Sequence, residues 1–338
     1  MNIFEIHEYV DELILKAETK IALLHAKMLK EILATLLQMY EKYGRGDELS
    51  YTDLNKYNRL HTILNRIANI ATREHKRALS NIKQLREMSY SETYLRKAYV
   101  TEVFSSTRMG FDAPSQRVID AALENPIEHL KLNKVMQQHR AKLIRDLQVT
   151  ISQSLLRGDG YFAMAKHIEQ QVGFSRNKAI TVARTEAARA QAIAAEKVDE
   201  QAKKYVKLTN LWASALDLRV RKAHQILDGQ RADKEGYFHY QGLKSKRPHG
   251  WNRADMDINC RCIVISLING MFPSVRRGKD YKDETYQRKL AARIDKYMGD
   301  GLTYAQAFKK ADKEIKPPNI NTDGYITFER WKEEYVYG

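Results

Sequence analysis

The chain is short of three things. It has two cysteines in 338 residues, Cys260 and Cys262, which excludes a disulfide-stapled scaffold. It has six prolines and none before Pro114, so nothing of that kind interrupts an extended, all-helical front half. It also lacks any apolar run near the ~18 residues that a bilayer-spanning helix needs. The opening stretch, MNIFEIHEYVDELILKAE, carries acids where a signal peptide would start basic. A soluble protein of a cytosol-like compartment is therefore expected. There is no internal repeat and no low-complexity segment.

What the chain has in excess is positive charge. Its 57 Lys and Arg against 42 Asp and Glu give a formal net charge of +15. A balance this basic implies a polyanionic partner such as double-stranded DNA, or acidic protein neighbours. The plainer alternative is a solvated, lysine-rich surface. With 43% hydrophobic residues a sizeable core is available.

The fold class expected is mostly α with a small α+β domain, with long amphipathic helices in the amino-terminal half and a short antiparallel sheet around 206–270. Ile6, Val10, Leu13, Ala17, Ile21, Leu24, Met28, Ile32 and Met39 recur on one helical face, and Gly44 and Gly46 punctuate its end. A helix of that length spans ~60 Å and needs a partner helix, from its own chain or from another copy. Leu54, Leu60, Leu64, Ile67 and Ile70 continue a helical pattern, while Leu79, Ile82, Leu85 and Met88 form another. Breaks follow at RMGFDAPSQ and at Pro126. Next come a basic helix over Leu130 to Leu156 and two shorter ones, Tyr161 to Val172 and Asn177 to Tyr205, with Ser175 as N-cap of the second. After Tyr205 the texture changes. VKLTNLWASAL and CRCIVISLI read as strands, DLRVRKAHQILDGQ as a short helix and GYFHYQGL as strand and turn. The natural parse is a helical region over 1–110, a helical middle over 111–205, the α+β unit over 206–270, and a charged helix with a tail over 271–338.

The two cysteines stand at i and i+2. On a strand they share one face, with Arg261 on the other, and an extended backbone keeps such neighbours from forming a disulfide. Two readings stay open: thiolate ligands of a soft metal, most plausibly zinc, or small apolar side chains at a core edge. The upstream stretch offers His224 as a ligand candidate, with Asp217 and Asp228 nearby, and His239 and His249 are further candidates. The spacing of Asp217, Arg221, His224 and Asp228 puts them on one helical face, where Asp217 would hydrogen-bond Arg221 or orient His224.

The order Arg184-Thr185-Glu186, then Trp212, Asp217, Val220, Arg221, His224, Asp228-Gly229, then Asn259-Cys260-Arg261-Cys262 resembles the phage Mu F-like family, the minor head or head morphogenesis proteins of tailed bacteriophages. The likeness covers about Gly158 to Leu267. The run KSKRPHGWNRADMD before the cysteines has a single proline where the family often has a proline-rich one. The resemblance implies a structural virion component, incorporated during procapsid assembly in the host cytoplasm. It would sit at the portal vertex or capsid interior, beside the portal protein and the packaged DNA. Self-association through the amino-terminal helices and phosphate contacts from Arg184 and Arg189 are compatible with it. An enzyme is not expected. The rival readings are a metal-dependent nuclease or hydrolase using His224 with Asp217, and a DNA-binding regulator. Against them stand the missing carboxylate pair, phosphate loop and helix-turn-helix spacing.

Overall fold

The amino-terminal stripe folds as one helix, α1 (Ile3–Tyr43), in a computed structural model that describes residues 2–44, 49, 51–55, 58–124 and 130–337. It is followed by α2 (Tyr51–Asn55), α3 (Arg59–Ser105), α4 (Gln116–Leu123), α5 (Leu132–Arg157) and α6 (Tyr161–Ala202). Gly46 and Pro126, two of the expected breakers, lie outside the described residues. The chain divides into two compact units. One comprises residues 8–95 and 112–194, the other residues 1–7, 96–111 and 195–338.

The first unit is helical throughout. The stripe of α1 needs no second copy to cover it. Met28, Ile32, Leu36 and Met39 pack with Ile67 and Ile70 of α3, Leu147 and Ile151 of α5, and Ile168 and Val172 of α6. Further along α1, Leu13, Ala17 and Ile21 meet Ala78, Ile82 and Leu85 of α3 and Ala179, Ala183 and Ala187 of α6. Small alanines let the helices approach closely, and burial of these faces supplies most of the helical stability.

Two helices are longer than the sequence pattern indicates. Leu54 falls in α2, but the stripe from Leu60 to Ile70 and the one over 79–88 join in α3, because Ala71, Glu74, His75 and Ala78 continue the buried face with small and polar residues that an apolar count skips. The expected pair over 161–172 and 177–205 is the single helix α6. Gly173 does not break it: a mid-helix glycine costs ~1 kcal/mol against alanine, and Ile168, Val172 and Ala179 are buried on either side. Ser175 is accordingly a mid-helix residue, not an N-cap.

The second unit carries the sheet elements. They are β1 (Leu208–Ala213), α7 (Lys222–Leu227), β2 (Phe238–Tyr240), β3 (Leu243–Ser245), α8 (Ala254–Asp257), β4 (Ile263–Ile268), β5 (Val275–Lys279), α9 (Glu284–Gly299), α10 (Tyr304–Glu314), β6 (Asn319–Asp323) and α11 (Phe328–Tyr335). β1 and β4 pair antiparallel, from Leu208 opposite Ile268 to Ala213 opposite Ile263. Alternation sends Leu211, Ala213, Ile265 and Leu267 to one face and Trp212 and Val264 to the other. β2 and β3 form a hairpin whose two turn residues, Gln241 and Gly242, both take positive φ, as a two-residue hairpin turn requires.

The segment after 270 is more ordered than the charged helix and tail expected of it. β5 pairs antiparallel with β6, and Phe328 and Trp331 of α11 are buried with Leu216 and Val220. The chain crosses closely at Gly278, where an added Cβ would stand 3.0 Å from Leu216 Cβ and 3.1 Å from Trp331 Nε1. A buried ion pair ties the end of α3 to the end of α6: Lys97 Nζ donates to Asp199 at 2.7 Å and to the Ala195 carbonyl at 3.1 Å. Ser266 of β4 donates to the other Asp199 oxygen. Burial pushes the Lys97 ammonium down, and Asp199 opposes that.

Candidate functional site

The short helix α7 sets the geometry. It covers six residues, so Asp217 and Asp228 fall outside it and the expected single helical face is not formed. Arg221 is its N-cap residue and Asp228 its C-cap residue. His224, in the middle, is buried against Trp212 of β1, edge to face at 6.2 Å between ring centroids. Trp212 also meets Phe238 and Trp251, which makes it the centre of an aromatic wall.

The cysteines lie just before β4 rather than on it. The Cys260 amide donates to the Asp257 carbonyl at 3.2 Å, closing a turn in which Asn259 takes a φ of +54°. Asparagine tolerates that left-handed conformation better than most residues, which gives it a local physical role in Asn-Cys-Arg-Cys. The turn still brings both sulfurs to one place: His224 Nδ1 lies 3.2 Å from Cys262 Sγ and 3.4 Å from Cys260 Sγ. All three residues are buried and their ligand atoms lie within 4.8 Å of one another, a grouping that could hold a metal ion. Burial alone would raise the Cys260 thiol. Hydrogen bonds from Cys262 and His224, with the charge of His249, bring it well below the ordinary thiol range. Burial and the neighbouring Cys260 push Cys262 well above it.

His249 completes the surroundings. It is 4% exposed, with φ +59°, and its ring lies against the Cys260 backbone. Burial pushes its imidazole down, against pulls from Cys260 and Asp257. His239, by contrast, is exposed and bonded to Asp233 at 2.7 Å, away from the cluster.

The charged motif residues are engaged within the chain, with partners that differ from those expected. Asp217 pairs with Arg261, whose Nη2 donates at 2.9 Å, and accepts from the Arg219 amide at 2.8 Å. It contacts neither Arg221 nor His224 in the way the sequence suggests. Arg221 donates instead to the Met256 and Ile258 carbonyls, pinning α7 to the turn before the cysteines. Asp228 accepts from the Ser214 amide, the Phe328 amide and Arg276. Arg276 had no signal in the sequence beyond its charge.

Arg184 and Glu186 belong to the helical unit. Arg184 is paired with Glu18 at 2.9 Å. Glu186 sits between Arg189, at 3.0 Å, and Arg86, at 3.5 Å. Arg189 is buried and also donates to the Leu123 carbonyl, so it is a core residue rather than a phosphate contact.

These residues define a structural module rather than a catalytic cleft. Glu186, Asp217 and Asp228 are each held by arginine, so the Asp217–His224 general-base pair of the hydrolase reading does not form.

The chain belongs to the phage Mu protein F-like family, whose pattern its residues 145–265 match. It is 37% identical over 277 residues to the minor head protein GP7 of Bacillus phage SPP1, covering 81% of this chain and 90% of that one. It is also 25% identical over 254 residues to an NAD(+)–arginine ADP-ribosyltransferase, EFV, of Enterococcus faecalis; the match covers 74% of this chain but 52% of that protein. Half a relative's length at that identity carries no catalytic assignment. No solved structure matches.

Proposed function

We infer that the chain is a minor head protein: a structural, non-enzymatic component of a tailed-phage head that acts in head morphogenesis. The similarity to the SPP1 minor head protein over nine-tenths of that protein carries the reading. The buried ion pairs of its motif residues support it, because they use carboxylates for architecture. Such a role gives it capsid-associated partners and a place in the virion. Among the described residues no helix is long and apolar enough to cross a membrane.

Within that reading the chain is taken up at the portal vertex during procapsid assembly in the host cytoplasm, and its net charge of +15 faces packaged double-stranded DNA or acidic head proteins. Two assays test the portal and DNA contacts. Gel filtration with the portal protein of the same phage should give co-elution. A gel of linear double-stranded DNA over a salt series should show a retarded band that fades as salt rises. Separate elution, or DNA left free in every lane, would remove the corresponding contact. Shortened DNA appearing with divalent metal would overturn the non-enzymatic reading.

A further inference from the structure

We propose that the exposed face of the β2–β3 hairpin, with Lys244, Lys246 and Lys203 gathered round Tyr237, grips the phosphate backbone of double-stranded DNA. This placement rests on the DNA contact proposed above and assigns it to named residues.

The hairpin is a fixed frame. Asp233 organises the loop before β2: its carboxylate accepts from the Glu235 amide at 2.9 Å and from the Tyr237 amide at 2.8 Å. It also lies 2.7 Å from His239 Nε2. Phe238 is fully buried against Trp212, which anchors the inner face of β2. The register sets His239 opposite Lys244, and both side chains stand on the outer, exposed face.

On that frame three ammonium groups converge. Lys244 Nζ lies 4.4 Å and Lys246 Nζ 5.4 Å from the centre of the Tyr237 ring. Lys203, just past the end of α6, brings its Nζ to the same loop, 3.9 Å from where a Cβ on Gly236 would stand. All three lysines are exposed, and among the described residues none is paired with a carboxylate. The neighbouring acids are used elsewhere: Asp233 by His239, Glu196 by Arg247 and Glu200 by Lys197. Glu235 is the loop's one further negative charge.

Like charges gathered on one ring and one loop repel one another, and a counter-charge relieves the repulsion. Double-stranded DNA supplies that charge along its whole length and releases its own counterions as lysines take their place. The Tyr237 ring holds two of the ammonium groups at its face. Less side-chain freedom is then lost when a phosphate arrives. Lysines act as point charges, without the planar fork that reads base edges, so the grip is independent of base sequence.

The test is fluorescence anisotropy of a short labelled duplex titrated with the full chain over a salt series. Binding should fade as salt rises. Lys244→Gln with Lys246→Gln should lower the slope of log affinity against log salt by about two, one for each lost phosphate contact. Lys203→Gln alone should lower it by about one. Lys27→Gln with Lys30→Gln, which removes the same charge from exposed positions of α1, should match the parent. Parent-like slopes in both hairpin variants, or an equal loss in K27Q/K30Q, would overturn this face and leave a DNA contact elsewhere. A parent that leaves the duplex free at every salt would overturn the face and the DNA contact together. If that parent binds polyglutamate instead, the face belongs to an acidic protein partner. None of these results bears on incorporation into heads, which is read separately.

Discussion

Arg276 of β5 and Asp228, at the end of α7, form an ion pair in which each side chain is 1% exposed, although 48 residues separate them. Arg276 also donates to the Ser214 and Ile326 carbonyls and lies over the Tyr325 ring at 4.9 Å. Removing one member of such a pair leaves an uncompensated buried charge, at a cost of ~3–5 kcal/mol. Arg276→Met should therefore lower the urea midpoint of the sheet-bearing unit strongly, read by tryptophan fluorescence. A shift under ~1 kcal/mol would mean that the Ser214 and Phe328 amides hold Asp228 unaided.

The same pair bears on truncation. A fragment of residues 206–270 keeps Asp228 and loses Arg276, the Phe328 amide and the aromatic cover from Trp331. It should fail to unfold cooperatively and give a poorly dispersed amide spectrum, with or without added zinc. A well-dispersed spectrum would show that 206–270 folds alone.

Gly278 is required for space, because an added Cβ would meet both Leu216 and Trp331. Gly278→Ala should destabilise this unit by ~1–3 kcal/mol, the usual range for overpacking. The Trp331 indole, which donates to the Lys279 carbonyl at 2.9 Å, reports the shift through its fluorescence.

Acid sensitivity should arise in the helical unit. His25, His75 and His139 are all held below the ordinary histidine range, chiefly by burial, and His75 is pushed down to about 4. His75 feels His25, His139 and Arg140 as further positive neighbours, while Glu74 pulls His25 the other way. Between pH 6.5 and about 4 the unfolded chain binds a proton that folded His75 does not, so stability falls as pH falls through that window and levels off below it. For His75 the total loss is about 3 kcal/mol, at 1.36 kcal/mol per pH unit. His75→Leu should flatten that limb in pH-dependent urea titrations, since the ring's Nε2 has no partner to lose. An unchanged slope would place the sensitivity elsewhere.

The class of fold was legible in the sequence because helical periodicity and β-branched alternation are local signals. α1, α5, β1 and β4 all follow them closely. The joining of α3 across Glu74 and His75 was not, since a buried polar residue breaks an apolar pattern without breaking a helix. Nor did the glycine at 173 stop α6, where packing on both sides outweighs propensity.

At the site, the family resemblance grouped His224 with the cysteines, whereas the helical spacing expected of Asp217 and Arg221 assigned Asp217 to the wrong arginine. Arg221 and Arg261 are equivalent in type, and α7 is too short to hold Asp217 beside Arg221, so Asp217 pairs with Arg261 instead. The Lys97–Asp199 and Arg276–Asp228 pairs span 102 and 48 residues, and no local signal marks a lysine or arginine destined for burial.

That this chain builds phage heads is tested most directly by co-expressing it with the capsid, scaffolding and portal proteins of the same phage, then separating assembled heads on a density gradient. Quantitative mass spectrometry of the head fraction should find the chain there, retained through a second gradient. A chain left wholly in the soluble fraction at the top of the gradient, with heads assembling normally without it, would contradict the account.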